Sequence, residues 1–402
     1  MTPVISAACD SKPAQPAAWG AVMAMSLAAF ALVASEFMPV SLLTPLAAEL
    51  RITEGQAGQS IAISGAFALV TSLVLAAVVG RLDRKILLLG LTLLMIVSGT
   101  VAAFAPNYAV FMAGRALIGV AIGGFWSMSA ATAMRLVPDA EVPRALAILN
   151  GGNALATVIA APAGSFLGAV IGWRGAFFCL VPVAIVALAW LTASLPAMRS
   201  ERRADAPNML ALLKRPAVVF GMAAVSLLFM GQFALFTYLR PFLEGVTGAD
   251  ASTLSLMLLV LGIAGFVGTT LIGGVLQGRV YRVLVAIPLV MAALAIGLVM
   301  FGASKAAVFV LLAAWGLVGT SAPVGWWTWL AQTLPRDAEA GGGLMVAVVQ
   351  LAIMLGATLG GLLFDASGYR ATFHLSAGLL VAAAVVALLA ARSAACIDEQ
   401  ET

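Results

Sequence analysis

From Ile86 to Gly114 the chain carries no charged residue. Apolar runs of this kind recur along its whole length, separated by short loops that hold Arg and Lys. A helix needs about 20 apolar residues to cross a bilayer, and the backbone of a segment in hydrocarbon must satisfy its own hydrogen bonds. Such runs therefore predict membrane helices. Hydrophobic residues are 63% of the 402 and charged residues 9%, too few charges to cover a water-soluble surface. The predicted spans are 19–46, 57–80, 86–104, 108–132, 145–168, 176–195, 217–242, 252–276, 283–302, 306–331, 342–364 and 371–391. The fold class expected is an all-α membrane protein of twelve transmembrane helices.

The longest loop, 196–216, divides these spans six and six. The expected organisation is a tail over 1–18, a six-helix bundle over 19–195, a linker over 196–216, a second bundle over 217–391 and a tail over 392–402. With both tails in the cytoplasm, most Lys and Arg fall on the cytoplasmic side, among them Arg81, Arg84, Lys85, Arg135, Arg144, Lys214 and Arg215. Arg51, Arg174, Arg240, Lys305 and Arg370 fall outside. This asymmetry fixes orientation and explains the basic pI without nucleic acid. Cys9, Cys179 and Cys396 have no paired spacing, so neither a disulfide nor a metal site is expected.

The halves resemble each other. PAGSFLGAVIGWRGAFF (162–178) aligns with TLGGLLFDASGYRATFH (358–374), which puts Gly164 on Gly360, Gly172 on Gly368, Arg174 on Arg370 and Phe177 on Phe373 at a constant offset of 196 residues. The same offset puts Pro45 on Pro241 and Glu36 on Gln232. Duplicated halves around a central loop are a transporter signature, with the substrate site between them near the midplane. No GxxxxGK[ST] loop is present, because no Gly precedes any lysine. No cofactor is expected, and the driving force is an ion gradient.

Ionisable groups inside spans are then the functional candidates. Glu36 lies ~22 Å and Arg115 ~18–20 Å from the cytoplasmic edge, counted at 1.5 Å per residue. A carboxyl in a low-dielectric site takes up a proton more readily than one in water. Glu36 is a candidate proton carrier; the alternative is a permanently neutral, hydrogen-bonded structural group. Arg115 reads first as a tie between helix backbones and second as part of the coupling. Asn153 and Gln350, at similar depth in opposite halves, are candidate ligand amides, as are Gln232 and Tyr238 nearer the outside. Trp126, beside small residues, is a candidate stacking surface. GWWTW (325–329) reads as an interfacial aromatic belt and His374 as structural. Gly119 and Gly164 sit where helices pack closely, and Pro162 and Pro323 are candidate bending points.

Several stretches resemble the major facilitator superfamily, in particular its twelve-helix drug:proton antiporters. GRLDRK (80–85) is similar to the charged loop between the second and third helices of that family. The resemblance implies a conformational latch at Asp83, Arg84 and Lys85. RALIGVAIGG (115–124) is similar to the fourth-helix pattern and carries Arg115 and Gly119. AAPAGSFLG (160–168) resembles the fifth-helix antiporter pattern, with Ala161 and Ser165 in place of two glycines. SEFMPVSLLTPLAAEL resembles the first-helix signature of efflux permeases grouped with sugar and arabinose exporters, and EFMPVSLLTPLA, GQS (58–60), GGFWSMSA, MRLVP, SFLGAVIGWR, GQFALFTYLRP and PVGWWTW together are similar to bacterial purine ribonucleoside efflux pumps. The resemblance implies a monomeric inner-membrane exporter exchanging protons for small purine nucleosides, with multidrug or sugar export as the alternative. A membrane receptor or embedded enzyme is disfavoured by the duplicated halves and by the lack of a catalytic constellation.

Overall fold

The computed structural model describes residues 17–78, 83–198, 209–277, 279–335 and 337–401. Among the described residues there is no strand. The helices are α1 (Trp19–Leu50), α2 (Glu54–Val78), α3 (Arg84–Ala103), α4 (Tyr108–Arg135), α5 (Val142–Phe178), α6 (Leu180–Ser194), α7 (Met209–Leu212) and α8 (Pro216–Phe236). They continue with α9 (Leu239–Gly245), α10 (Ala251–Leu276), α11 (Val280–Phe301), α12 (Lys305–Gly319), α13 (Ala322–Thr333) and α14 (Ala338–Glu401). The segments 1–16 and 199–208, which hold most of the predicted tail and part of the predicted linker, lie outside the described residues, as do Gly80, Arg81 and Leu82, which precede the predicted latch in its loop.

Local chemistry sets the helix starts. Asn107, Asp250 and Ser304 accept from the backbone N–H three residues on, at 3.0, 3.1 and 3.4 Å, satisfying N–H groups that have no partner inside the helix. Thr53 and Gln56 form a reciprocal capping box at the start of α2, both bonds 3.0 Å. α1 stops where Arg51 turns left-handed (φ 54, ψ 48), which makes the α1–α2 turn.

Among the described residues, ten helical segments are long and apolar enough to cross a membrane. Two of them, Val142–Ser194 and Ala340–Ser393, run to 53 and 54 residues, far more than one crossing needs. Each is interrupted at a glycine: Gly172 (φ 77, ψ 164) and Gly368 (φ 74, ψ −175). That backbone is open to glycine and strained for any residue with a β-carbon. The two breaks lie 196 residues apart, at the offset of the sequence repeat. The residues beside them repeat as well. Arg174 lies over the Trp173 ring and Arg370 over the Tyr369 ring, at 4.4 and 5.9 Å. The tenth predicted span is broken between α12 and α13, and Pro323 stands in the first turn of α13, where a missing N–H costs nothing. The seventh is broken between α8 and α9. Pro162, by contrast, lies within α5 ten residues before its break at Gly172.

The helices pair in a repeated way. α5 packs on α1 and the first part of α14 on α8. Gly164 lies against Met38 and Ser41 of α1, and Gly360 against Ala234 of α8, the equivalent position. α4 crosses α2 where Gly119 and Gly123 meet the Ser64 and Ala68 carbonyls. One apolar core is built mainly from residues 212–387 and takes in Val40, Ile61, Ala62 and Ala161. Two smaller cores hold residues 21–198 and 38–238. Large apolar side chains such as Ile86, Val310 and Phe166 are exposed, as on a surface that faces lipid.

The glycine seam gives a direct check. A β-carbon at Gly123 would collide with the Ala68 backbone, whereas one at Gly151 would meet nothing within 4 Å. Gly123→Ala is expected to cost about 1–3 kcal/mol, read as a lower unfolding temperature in detergent. Gly151→Ala should leave that temperature unchanged or raise it.

Candidate functional site

α1 contains two prolines, Pro39 and Pro45. A proline has no N–H, so the carbonyl four residues earlier loses its helical partner. Pro39 frees Ser35 and Pro45 frees Ser41. Both carbonyls are taken by buried arginines. Arg115 Nη1 on α4 donates to the Ser35 carbonyl at 2.8 Å. Arg240 Nη1 on α9 donates to the Ser41 carbonyl.

Arg115 is 1% exposed and uses its whole fork. Besides Ser35 it donates from Nε to the Ser60 carbonyl at 3.2 Å and from Nη2 to the Glu36 backbone carbonyl at 3.1 Å and Ser64 Oγ at 3.4 Å. It thus ties α4 to α1 and α2 at main-chain atoms. Among the described residues it makes no ion pair with the Glu36 carboxylate within 4 Å. The two residues are brought together, but through backbone.

Glu36 is 7% exposed. Its side chain interacts with the Gln350 amide on α14, from the other half of the chain. The Gln350 Oε1 is itself buried with no hydrogen-bond partner. Nothing in the sequence pairs these two, because the pairing depends on how α1 and α14 cross.

One residue further round α1, Phe37 faces elsewhere. It stacks on Phe233 at 6.0 Å and meets Phe236 edge-on at 6.3 Å. These rings line a partly open pocket with Ala156, Thr157, Ala160 and Ala161 of α5, Gln232 of α8, Leu261 of α10, and Trp315, Gly316 and Thr320 at the end of α12. Phe37, Thr157, Gln232 and Leu261 each lie ~22–27 Å from the helix end opposite the α1–α2 turn. No lining residue is charged. The polar groups offered are two hydroxyls, an indole N–H and the Gln232 amide, whose Oε1 is buried and unpartnered. The cavity therefore suits an uncharged guest with an aromatic face and hydrogen-bonding edges.

The other sequence candidates are placed as follows. Asn153 lies on α5 one turn before the cavity-lining Thr157 and is partly exposed. Trp126 packs edge-on against Phe125 at 5.8 Å and beside the Val33–Ala160 cluster; it does not line the cavity. Tyr238 does not line it either. It is fully buried, donates to the Ala357 carbonyl at 2.8 Å and stacks on Phe364. Asp83 caps α3 by accepting from Lys85 N at 2.8 Å, and also accepts from Met198 N at 3.4 Å. The Arg84 N–H donates to the Met198 carbonyl at 3.3 Å, and Lys85 Nζ donates to the Leu195 carbonyl at 2.5 Å. These described partners lie in the same half. The cavity phenylalanines, Thr157, Trp315 and Thr320 were not singled out from sequence; the spacing of Phe233 and Phe236 opposite an EF pair was the available signal.

Residues 25–345 match the family model of the Major Facilitator Superfamily, and the chain belongs to that superfamily. Family and fold make it a multi-pass membrane transporter rather than an enzyme. It is 63% identical over 390 residues to a Pseudomonas aeruginosa protein named Transcription regulatory protein OpdE, covering 96% of this chain and 97% of the relative. It is 41% identical over 368 residues to the Purine ribonucleoside efflux pump NepI of Salmonella paratyphi B, covering 92% and 93%. Its fold resembles that of the human organic anion transporter MFSD10 (TETRAN), with a TM-score of 0.66 over 93% of this chain and all of that one, at 17% identity.

The shared carbonyl can be tested. Arg115→Lys cannot reproduce the fork and should lower stability by about 2–4 kcal/mol. Adding Pro39→Ala returns an N–H to the Ser35 carbonyl and should recover about 1 kcal/mol of that loss. Thermal unfolding in detergent reads both; no recovery would mean that the Ser35 carbonyl is not what Arg115 serves.

Proposed function

We propose that this chain is a proton-coupled exporter of purine ribonucleosides, working by alternating access in the inner membrane of a bacterium. In this reading Val142–Ser194 and Ala340–Ser393 each cross the bilayer twice, turning at Gly172 and Gly368, so that the ten apolar segments make twelve passes. The halves are 19–195 and 217–391, joined by 196–216, with both tails cytoplasmic. The α1–α2 turn then lies outside. The pump works as a monomer and needs no cofactor beyond the proton gradient.

The observation that carries the proposal is the cavity between the halves. It offers phenylalanine faces for a ring and neutral groups for its edge, beside a buried carboxyl one residue from Phe37. An uncharged purine nucleoside supplies a flat ring and both donors and acceptors. The likeness to a purine ribonucleoside efflux pump over more than nine-tenths of the chain supports the same substrate class. Gln232 contacts the substrate. Asn153 and Trp126 stand deeper on the cytoplasmic side, where an entering nucleoside meets them first. Gln350 reports substrate occupancy to Glu36.

The mechanism follows from linkage. Proton and nucleoside must favour different states of the protein for one gradient to drive the other. Glu36 takes up a proton when the cavity opens outward. The halves rock, the proton leaves inward, and the site is reset for the next nucleoside. Arg115 holds α1, α2 and α4 as one body during the movement. Multidrug export by the same antiport is the competing substrate reading. A pump that sets the internal level of a small effector changes transcription without touching DNA. In that form the name of the 63% identical relative is compatible with transport.

Proteoliposomes with an imposed pH gradient test the proposal. Wild type should accumulate inosine and guanosine, and the gradient should collapse with a protonophore. Glu36→Gln should lose gradient-driven accumulation to background and keep nucleoside counterflow, which needs no net proton movement. Accumulation at the wild-type rate would remove Glu36 from the coupling. Transport of cationic dyes without nucleosides would favour the multidrug reading.

A further inference from the structure

Among the described residues, the hydrogen bonds joining 17–198 to 209–401 gather at the α1–α2 turn. Two sites carry charge, and both set a side chain of the second half against main chain of the first. At one, Arg240 donates to the Ser41 carbonyl. That carbonyl is available because Pro45 has no N–H to give it. Arg240 is 7% exposed, and Glu244, one turn on, accepts from its Nε at 2.8 Å and pairs with its Nη2 at 2.8 Å. The guanidinium is therefore aimed before it reaches α1.

At the other, Asp365 on α14 meets the N-terminus of α2. Thr53 Oγ1 donates to Asp365 Oδ2 at 2.6 Å, and the Gly55 N–H donates to Asp365 Oδ1 at 2.9 Å. The first N–H groups of a helix lack internal partners, and a carboxylate there is doubly favoured by hydrogen bonding and by the helix dipole. The capping box of Thr53 and Gln56 orders that turn in advance. Thr358 Oγ1 adds a bond to Gln59 Oε1 at 3.2 Å one turn deeper. Gly55 and Gly361 let the backbones come this close; a β-carbon on Gly361 would stand 3.1 Å from Gly55 Cα.

We infer that Arg240 and Asp365 are the gate residues of the transporter: they seal the cavity on the side of the α1–α2 turn and must both release for it to open there. The inference rests on the reading of the chain as an alternating-access transporter, and on no particular substrate. The same proline device is used twice on α1 with opposite consequences. The Ser35 carbonyl is held by Arg115 from the same half, so the tie survives any movement between halves. The Ser41 carbonyl is held by Arg240 from the other half, so the tie breaks when the halves part. Once broken, the Ser41 carbonyl and the α2 N-terminus lie at the mouth of an open cavity, where water replaces the lost partners. The gate is strong when closed and inexpensive to open. Arg240 and Asp365 are positioning residues: they set which side the cavity faces and touch no substrate.

The test reads access and needs no substrate. Cys9, Cys179 and Cys396 are replaced, Thr157→Cys supplies a reporter in the cavity, and the protein is reconstituted into liposomes. A membrane-impermeant maleimide is added on the side of the α1–α2 turn. Arg240→Gln, Asp365→Asn and Pro45→Ala are each expected to raise the labelling rate about tenfold, the population shift that follows from losing one charge-assisted hydrogen bond. Pro45→Ala keeps both charged residues and improves the helix, so it stays informative if Arg240→Gln does not fold. It acts by returning an N–H to the Ser41 carbonyl. Labelling at the parent rate in folded Asp365→Asn and Pro45→Ala protein would overturn the gate. Because the reporter labels with or without nucleoside, a failed substrate assignment would leave this result standing.

Discussion

A proline inside a membrane helix leaves one carbonyl without a donor, and in hydrocarbon there is no water to take the donor's place. Most of what is distinctive here follows from how α1 meets that requirement at Pro39 and Pro45. The Ser35 carbonyl draws the guanidinium of Arg115 into the protein. That burial is tolerable because four acceptors on α1 and α2 surround one charge. The Ser41 carbonyl draws Arg240 across from the other half. A third proline, Pro162 of α5, frees the Val158 carbonyl, and there Gly262 of α10 packs against it; a β-carbon on Gly262 would lie 2.8 Å from that oxygen. Glycine admits the close approach, and a weak Cα–H···O contact fits it. On α1 and α5, then, carbonyls freed by prolines are among the points that the opposite half touches.

This arrangement divides α1 into faces with different duties. Ser35 and Glu36 look towards α4 and α14, where Arg115 and Gln350 wait. Phe37 looks into the cavity with Phe233 and Phe236. The carboxyl and the guest site are thus neighbours on one helix without sharing a wall. In the proposed cycle, substrate and proton need not compete for the same atoms. They communicate through the position of α1 against α14, with the Gln350 amide as the group that feels both. Such coupling is a difference in affinity between two states and requires no direct contact between proton and nucleoside.

Much of the frame was legible in the sequence because it rests on strict requirements. Gly172 and Gly368 must be glycine for the chain to turn with φ near +75°, and their spacing revealed the duplication. Glu36 and Arg115 stood out because ionisable groups inside apolar runs are costly. The pairing of faces was less legible. Depth along a helix can be counted from residue numbers, whereas the side a residue points to depends on crossing angles that no single helix encodes. Tyr238 has the depth of a ligand group but sits in the closed seam. Gln350 has the depth of a substrate amide and lies beside Glu36. Asp365 carries no signal of its own inside LLFDASGYR, because its value depends on the α2 N-terminus about three hundred residues earlier in the chain. Lys85 belongs to the latch by its motif, and its ammonium reaches carbonyls at the end of α6.

The link between Glu36 and the cavity is the centre of the functional account, and proton counting addresses it most directly. Inosine is added to purified protein in weakly buffered detergent solution, and the pH is followed with an indicator while binding is measured in parallel. The account predicts that nucleoside binding expels a proton from wild-type protein, and that Glu36→Gln binds nucleoside with no proton released. Binding with no proton exchange in wild type, or equal release from both proteins, would contradict it.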